Sequence, residues 1–140
     1  MGLDIFDSGG IDIFAGGITW KATNATSLSA ENKTASVTWT DLDLTAVTSA
    51  NAKLAFIKLV VILDSISGTA GVTLSVRKNG DTPGDTPTLY VDNLHGDITG
   101  SRFDMIQPVG LDSGQVIEYE ISIAGTIQVD CYLVVMGYIE

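Results

Sequence analysis

The sequence predicts an antiparallel, all-β domain, and three observations carry that prediction. The first is alternation at the end of the chain. Ile117, Tyr119, Ile121 and Ile123 alternate with polar residues, and so do Ile127, Val129, Cys131, Leu133 and Val135. A period of two over that length marks strands with one buried face. The second is the run 53–64, apolar on both parities and rich in β-branched Ile57, Val60, Val61 and Ile62. The third is the placing of turn residues between such runs, as at Asn79-Gly80. The 140 residues suit one domain with a substantial core.

Taken in order, residues 1–17 hold an imperfect repeat. Leu3-Asp4-Ile5-Phe6 ends in Gly9-Gly10, and Ile11-Asp12-Ile13-Phe14 ends in Gly16-Gly17. Glycine pairs interrupt elements. Leu3, Ile5, Phe6, Ile11, Ile13 and Phe14 are too apolar for a bare tail and cannot bury themselves. Residues 1–17 read either as an edge strand with a β-turn or as an arm that docks on a neighbouring subunit or on the particle, the reading we take, and residues 18–140 as the sandwich domain. Residues 18–23 form a strand, and the Asn/Thr/Ser-rich stretch 24–34 a loop. The acceptor patterns at Asn24 and Asn32 are chance matches in a chain without a visible secretion signal. Residues 35–44 form a strand with Val37 and Trp39 on one parity.

The run 53–64 suits a strand covered on both faces. Residues 71–79 alternate, with Val72, Leu74 and Val76 inward. The tandem Gly80-Asp81-Thr82-Pro83 and Gly84-Asp85-Thr86-Pro87 is a surface loop. Residues 88–91 are a short strand, 92–100 a loop with the only histidine, His95, and 102–109 a strand. Residues 115–139 read as one long hairpin. Its parity requires an odd loop, and 123–125 places Gly125 where a left-handed residue is wanted. Tyr119 then opposes Val129, and Ile117 opposes Cys131. On the second arm Tyr132, Val134, Met136 and Tyr138 share the even parity, an apolar outer face that a second subunit would cover.

Charge and residue inventory exclude several functions. The net charge is −10, and residues 81–140 carry ten acids against one base, Arg102. That is no footprint for nucleic acid. No apolar stretch approaches the roughly 20 residues of a membrane helix. One histidine and one cysteine cannot assemble a nucleophilic triad or a zinc site. Cys131 lies on the buried parity and reads as a small hydrophobe. Asp41, Asp43, Asp81 and Asp85, with Asp4, Asp7 and Asp12, read as turn aspartates rather than calcium ligands. Glu118 and Glu120 share a strand face as solubilising acids, and Trp20 and Trp39 suit core or subunit-interface packing. The expected protein is not an enzyme and has no cofactor and no metal.

Five segments together resemble small β-sandwich virion proteins of tailed bacteriophages. They are Leu42-Asp43-Leu44, residues 52–60, the strand 72–80 ending in Lys78-Asn79-Gly80, residues 116–121, and the closing 133–139 with Gly137-Tyr138-Ile139. The resemblance covers about residues 37–139. It implies a jelly-roll-like β-sandwich of seven or eight strands, no cofactor, and a structural place on the particle. The implied partners are the major capsid protein or other virion proteins and further copies of the chain, as dimer or trimer. The implied role is capsid decoration. A tail-fibre or collar domain binding a host receptor or glycan is the alternative.

Overall fold

The computed structural model describes residues 17–82, 88–94 and 99–140. The described residues form six strands: β1 (Ile18–Lys33), β2 (Val37–Asp43), β3 (Leu54–Lys78), β4 (Thr88–Leu94), β5 (Arg102–Gly110) and β6 (Val116–Ile139). Two of them set the architecture. β3 has 25 residues and β6 has 24. A straight strand of that length would run about 80 Å, roughly twice the breadth of a domain this size. The two are paired antiparallel from Leu54–Ile139 to Lys78–Ile117 and bend together near their middles.

The bend separates two four-stranded sheets. In the first, the early half of β3 and the late half of β6 are central, flanked by β5 and β1. In the second, the late half of β3 and the early half of β6 are flanked by β4 and β2. Four single strands and two halves each of β3 and β6 give eight strand lengths. Only the β3–β4 connection stays within one sheet. This is a jelly-roll-like β-sandwich, with all pairs antiparallel.

Inward side chains explain why the sheets close. Leu59, Val61 and Leu63 of the first sheet and Leu74, Val76, Ile117 and Ile121 of the second are completely buried in one core. On β6 the inward residues stay odd through the bend, from Ile117 to Val135. On β3 they change from odd (55–63) to even (70–76). The change is made by unequal spacing. Asp64 is an extra residue between the Leu63–Val129 and Ser65–Gln128 pairs, and three residues lie between Ser67 and Gly71 opposite Gly125 alone. Such bulges bend a strand and re-aim its side chains.

The structure corrects three sequence expectations. Residues 115–139 are not a hairpin. Tyr119 pairs with Val76 rather than Val129, and Ile117 with Lys78 rather than Cys131. Gly125 has the expected left-handed backbone, φ +79°, but inside a continuous strand. Each half of that strand finds a longer partner in β3 than in the other half. Second, 53–64 and 71–79 are one strand. Third, 24–33 is the polar continuation of β1, an edge strand with three register shifts. An edge tolerates polar residues and bulges. The arm 1–16, His95 and residues 83–87 lie outside the described residues.

Leu44 plugs one end of the core. It donates its N–H to Gln115 O at 3.0 Å, and the facing turn is held by Asp112. Asp112 Oδ1 accepts the N–H groups of Gly114 and Val116, each at 2.8 Å, and Oδ2 accepts Asn79 Nδ2 at 2.9 Å.

A Cβ on Gly125 would lie 2.5 Å from Thr69 O and 3.0 Å from Ala70 Cα, whereas one on Gly68, φ +74°, would meet open space. Both substitutions carry the left-handed penalty of about 1–2 kcal/mol; only Gly125 adds a backbone clash. Gly125→Ala should therefore lower the unfolding free energy by at least about 1 kcal/mol more than Gly68→Ala, measured by urea denaturation.

Candidate docking surface

The even-numbered residues of 54–62 point away from the core, and all but Lys58 are apolar. Phe56, Val60 and Ile62 share the outer side with Lys58. Cross-strand pairing adds Val134 and Tyr132 of β6, Pro108 and Ile106 of β5, and Thr26 of β1. Val60 is only 2% exposed although it faces outward, covered by its neighbours on this face.

A glycine shapes one end. Gly137 stands between Trp20 on β1 and Phe56 on β3, with which it pairs. A Cβ there would come within 2.9 Å of the Trp20 ring. Its absence lets the indole reach over β6 and stack on Phe56, centroids 5.4 Å apart and planes at 29°. The stack leaves Trp20 60% exposed, and Ile106, on the opposite edge strand of the same face, is 53% exposed. Exposed large apolar side chains gathered on one face mark interaction surfaces.

Toward the bend, Thr26, Val60, Ile62, Arg102, Tyr132 and Val134 line a shallow groove of about 300 Å³. Val60, Ile62 and Val134 give it aliphatic surface, and Thr26, Arg102 and Tyr132 give it polar surface. On the β5 side Asp104 accepts both Lys58 Nζ at 2.8 Å and Arg102 at 3.5 Å, so two cations share one acid. Those cations, the Lys58 ammonium foremost, hold the Asp104 carboxyl below its ordinary range. On the β1 side the Tyr132 hydroxyl lies 3.3 Å from Glu31 Oε1 and 3.4 Å from Asp130 Oδ2. Asp64, the bulged residue, stands beside Asp130. Burial, then the Asp130 charge, raises its pKa. One of its oxygens is buried without a hydrogen-bond partner.

The outer face of the second sheet differs in kind. Arg77 Nε donates to Glu118 Oε2 at 2.6 Å, and its guanidinium lies 4.0 Å above the Trp39 ring. Glu118 pairs along the sheet with Asp41, and Ser75 with Glu120. The Arg77 contact lowers the Glu118 pKa, opposite to what a proton-donating carboxylic acid needs.

The predicted site residues scatter. Tyr132 and Val134 lie on the apolar face as expected. Tyr138 does not. Met136 is an extra residue between the Val135–Ile57 and Gly137–Phe56 pairs, so Tyr138 pairs with buried Ala55 and packs against the core. Met136 is the half-buried bulge residue itself. Leu3, Ile5, Phe6, Ile11, Ile13 and Phe14 lie outside the described residues. Cys131 is fully buried, and burial pushes its thiol up to about 12. Neither tryptophan enters the core. Sequence reading missed Trp20, Phe56 and Ile106 as one surface. The available signal was the double parity of 54–63, half of which is this face. Among the described residues, no three His, Cys, Asp or Glu side chains are placed to hold a metal ion. Among the same residues no helix is long and apolar enough to cross a membrane.

No family model and no curated protein matches the chain. Among solved structures it is similar to dimeric latent PorU from Porphyromonas gingivalis, at 12% identity and TM-score 0.42, over 87% of this chain and 12% of that one. It is also similar to a chain in the structure of infectious bursal disease virus Gt strain, at 16% identity and TM-score 0.33, over 88% of this chain and 32% of that one. The chain thus spans about an eighth and a third of these two proteins. At such scores neither likeness assigns a family or a role.

Burial, then the neighbouring Asp130 charge, disfavours the ionised form of Asp64. Because its folded pKa lies above the ordinary carboxylate range, it opposes folding above that raised pKa. The penalty fades as pH falls through it. Asp64→Asn should raise the melting temperature at pH 7, and the gain should shrink as the pH approaches 4, read by thermal melts across pH.

Proposed function

We propose that this chain is a non-enzymatic structural protein of a phage virion, a capsid decoration protein that docks through the outer face of its first sheet. The observation that carries the reading is the difference between the two outer faces. The first joins the Trp20–Phe56 stack, Val60, Ile62 and Ile106 into one apolar stretch edged by Lys58, Arg102 and Asp104; the second exposes Tyr90 among the Arg77–Glu118 pair and polar residues.

Size supports an additive mechanism. Four strands at about 4.8 Å and eight residues at about 3.3 Å give a face of roughly 500 Å². Docked, it would bury about 1,000 Å² over both partners, the low end for a specific interface. One such contact is modest. A dimer or trimer of the chain, bridging neighbouring subunits of the major capsid protein, multiplies it through effective concentration. Burial at about 25 cal/mol per Å² then accumulates over the shell. The acidic surplus keeps free copies soluble before assembly. On this reading the chain is made in the host cytoplasm and resides in the virion. A tail-fibre or collar domain that binds a receptor or glycan is the second reading. The exposed Trp20 ring favours it, because aromatic faces stack on sugars.

Ile106→Asp should weaken attachment to particles by about tenfold to a hundredfold, equivalent to roughly 1–3 kcal/mol. The melting temperature should barely move. Tyr90→Ser, on the polar outer face, is the control and should bind as the parent does. Cosedimentation with undecorated particles measures both. Equal loss in the two variants, or none in either, would refute docking through this face. Retained particle attachment with lost binding to a glycan array would favour the receptor-binding reading.

A further inference from the structure

The chain contains five asparagines, and only Asn79, at the end of β3, is followed by glycine. We propose that Asn79-Gly80 is a self-modification site, where the side-chain amide is lost through a cyclic imide, and that the fold gates the reaction by holding the two reacting groups apart.

The reaction needs only water. The Gly80 backbone nitrogen attacks Asn79 Cγ and gives up its proton. The N–Cγ bond forms, the Cγ–Nδ2 bond breaks, and the amide nitrogen leaves as ammonia with that proton. Water then opens the imide at one of its two carbonyls, leaving an aspartyl or a β-linked isoaspartyl residue. One water enters and one ammonia departs; nothing is oxidised or reduced. Glycine matters because it brings no side chain to shield the attacking nitrogen. The surroundings do not shield it either, since nothing lies within 4 Å of where a Gly80 Cβ would stand.

Three contacts keep the closed site slow. Asp81 donates its N–H to Lys78 O at 3.2 Å, closing a turn over Asn79-Gly80. Of these two central residues only Gly80 has positive φ, at +78°, which is the type II geometry. Ring closure requires the Gly80 nitrogen to eclipse Asn79 Cβ about the Cα–C bond. In a type II turn the nitrogen is rotated away from that position. Asn79 Nδ2 donates to Asp112 Oδ2 at 2.9 Å, and Glu118 accepts the Gly80 N–H. Electrophile and nucleophile are thus tied to different carboxylates. Neither carboxylate is free to follow them. Asp112 is pinned by the Gly114 and Val116 N–H groups, and Glu118 by Arg77.

Conversion has a structural consequence. An ionised carboxylate accepts hydrogen bonds and donates none. An acid at position 79 therefore faces Asp112 across the former hydrogen bond with two like charges and no donor. The β-linked product instead adds one atom to the backbone inside the turn. Either product unfastens β3 from the 111–115 turn, whose Gln115 carbonyl takes the Leu44 N–H at 3.0 Å. Each conversion leaves the Leu44 end of the core less firmly closed, and refolding does not restore it.

The test uses the full chain and no particle, so it is decided apart from the docking reading. Samples held at mildly alkaline pH are mapped by mass spectrometry, with the aspartyl and isoaspartyl peptides separated. Unfolded in guanidinium, the parent should convert at position 79 several-fold faster than at its other asparagines. Folded, it should still convert there, several-fold more slowly than unfolded. Asp112→Ala, held where its far-UV spectrum matches the parent, should raise the folded rate several-fold. Full retention of the amide in either state of the parent would overturn the site. Equal rates in the folded and unfolded parent would overturn the gate, and this comparison decides alone should Asp112→Ala fail to fold. An unchanged rate in folded Asp112→Ala would overturn the gate as well. Asn79→Asp should melt at a lower temperature than Asn79→Ala, because it adds repulsion to the lost hydrogen bond. Equal or higher melting would overturn the structural consequence.

Discussion

The ladder between β3 and β6 is the constraint on which the rest of this molecule depends. It supplies the two central strands of both sheets, and every other strand pairs with one of these two. The sheets cannot close on a common core unless both strands bend at the same place while keeping their apolar residues inward. β6 does so with one glycine and unbroken parity. β3 does so by inserting residues. The mismatch is lodged at Asp64 and at 68–70, where a buried, unpartnered carboxylate oxygen and a left-handed glycine mark its cost.

The outer face follows from that ladder. Once odd residues of 55–63 are committed to the core, even ones must form the opposite surface, and here they are Phe56, Lys58, Val60 and Ile62. Gly137 and the Met136 bulge complete it. The glycine admits the Trp20 ring, and the extra residue turns Tyr138 inward. The second sheet is built on the same two strands but places Ser75, Arg77, Glu118 and Glu120 outside. One pair of strands thus carries two surfaces of opposite character, and the sandwich has a distinct front and back.

Strand positions and inward residues were legible in the sequence because alternation survives any topology. Val72, Leu74, Val76, Ile117 and Ile121 needed only a period of two. Connectivity was not legible. A bend at Gly125 and a hairpin at Gly125 demand the same backbone angle and the same parity, and only pairing with β3 distinguishes them. The polar half of β1 was hidden because an edge strand takes its hydrogen bonds from a neighbour rather than its stability from burial. Tyr138 was misplaced because a bulge leaves no trace in composition. The apolar outer face was half legible. The run 53–64 announced a strand covered on both sides, and the described residues cover only one. Trp20 joins it through Gly137, a contact between residues 117 positions apart.

The Ile18–Ile139 pairing has a mechanical consequence. The sandwich receives the chain and releases it at the same corner, on adjacent antiparallel strands. Tension between these two points loads the β1–β6 ladder one rung at a time, as in peeling, so its hydrogen bonds fail in sequence at low force.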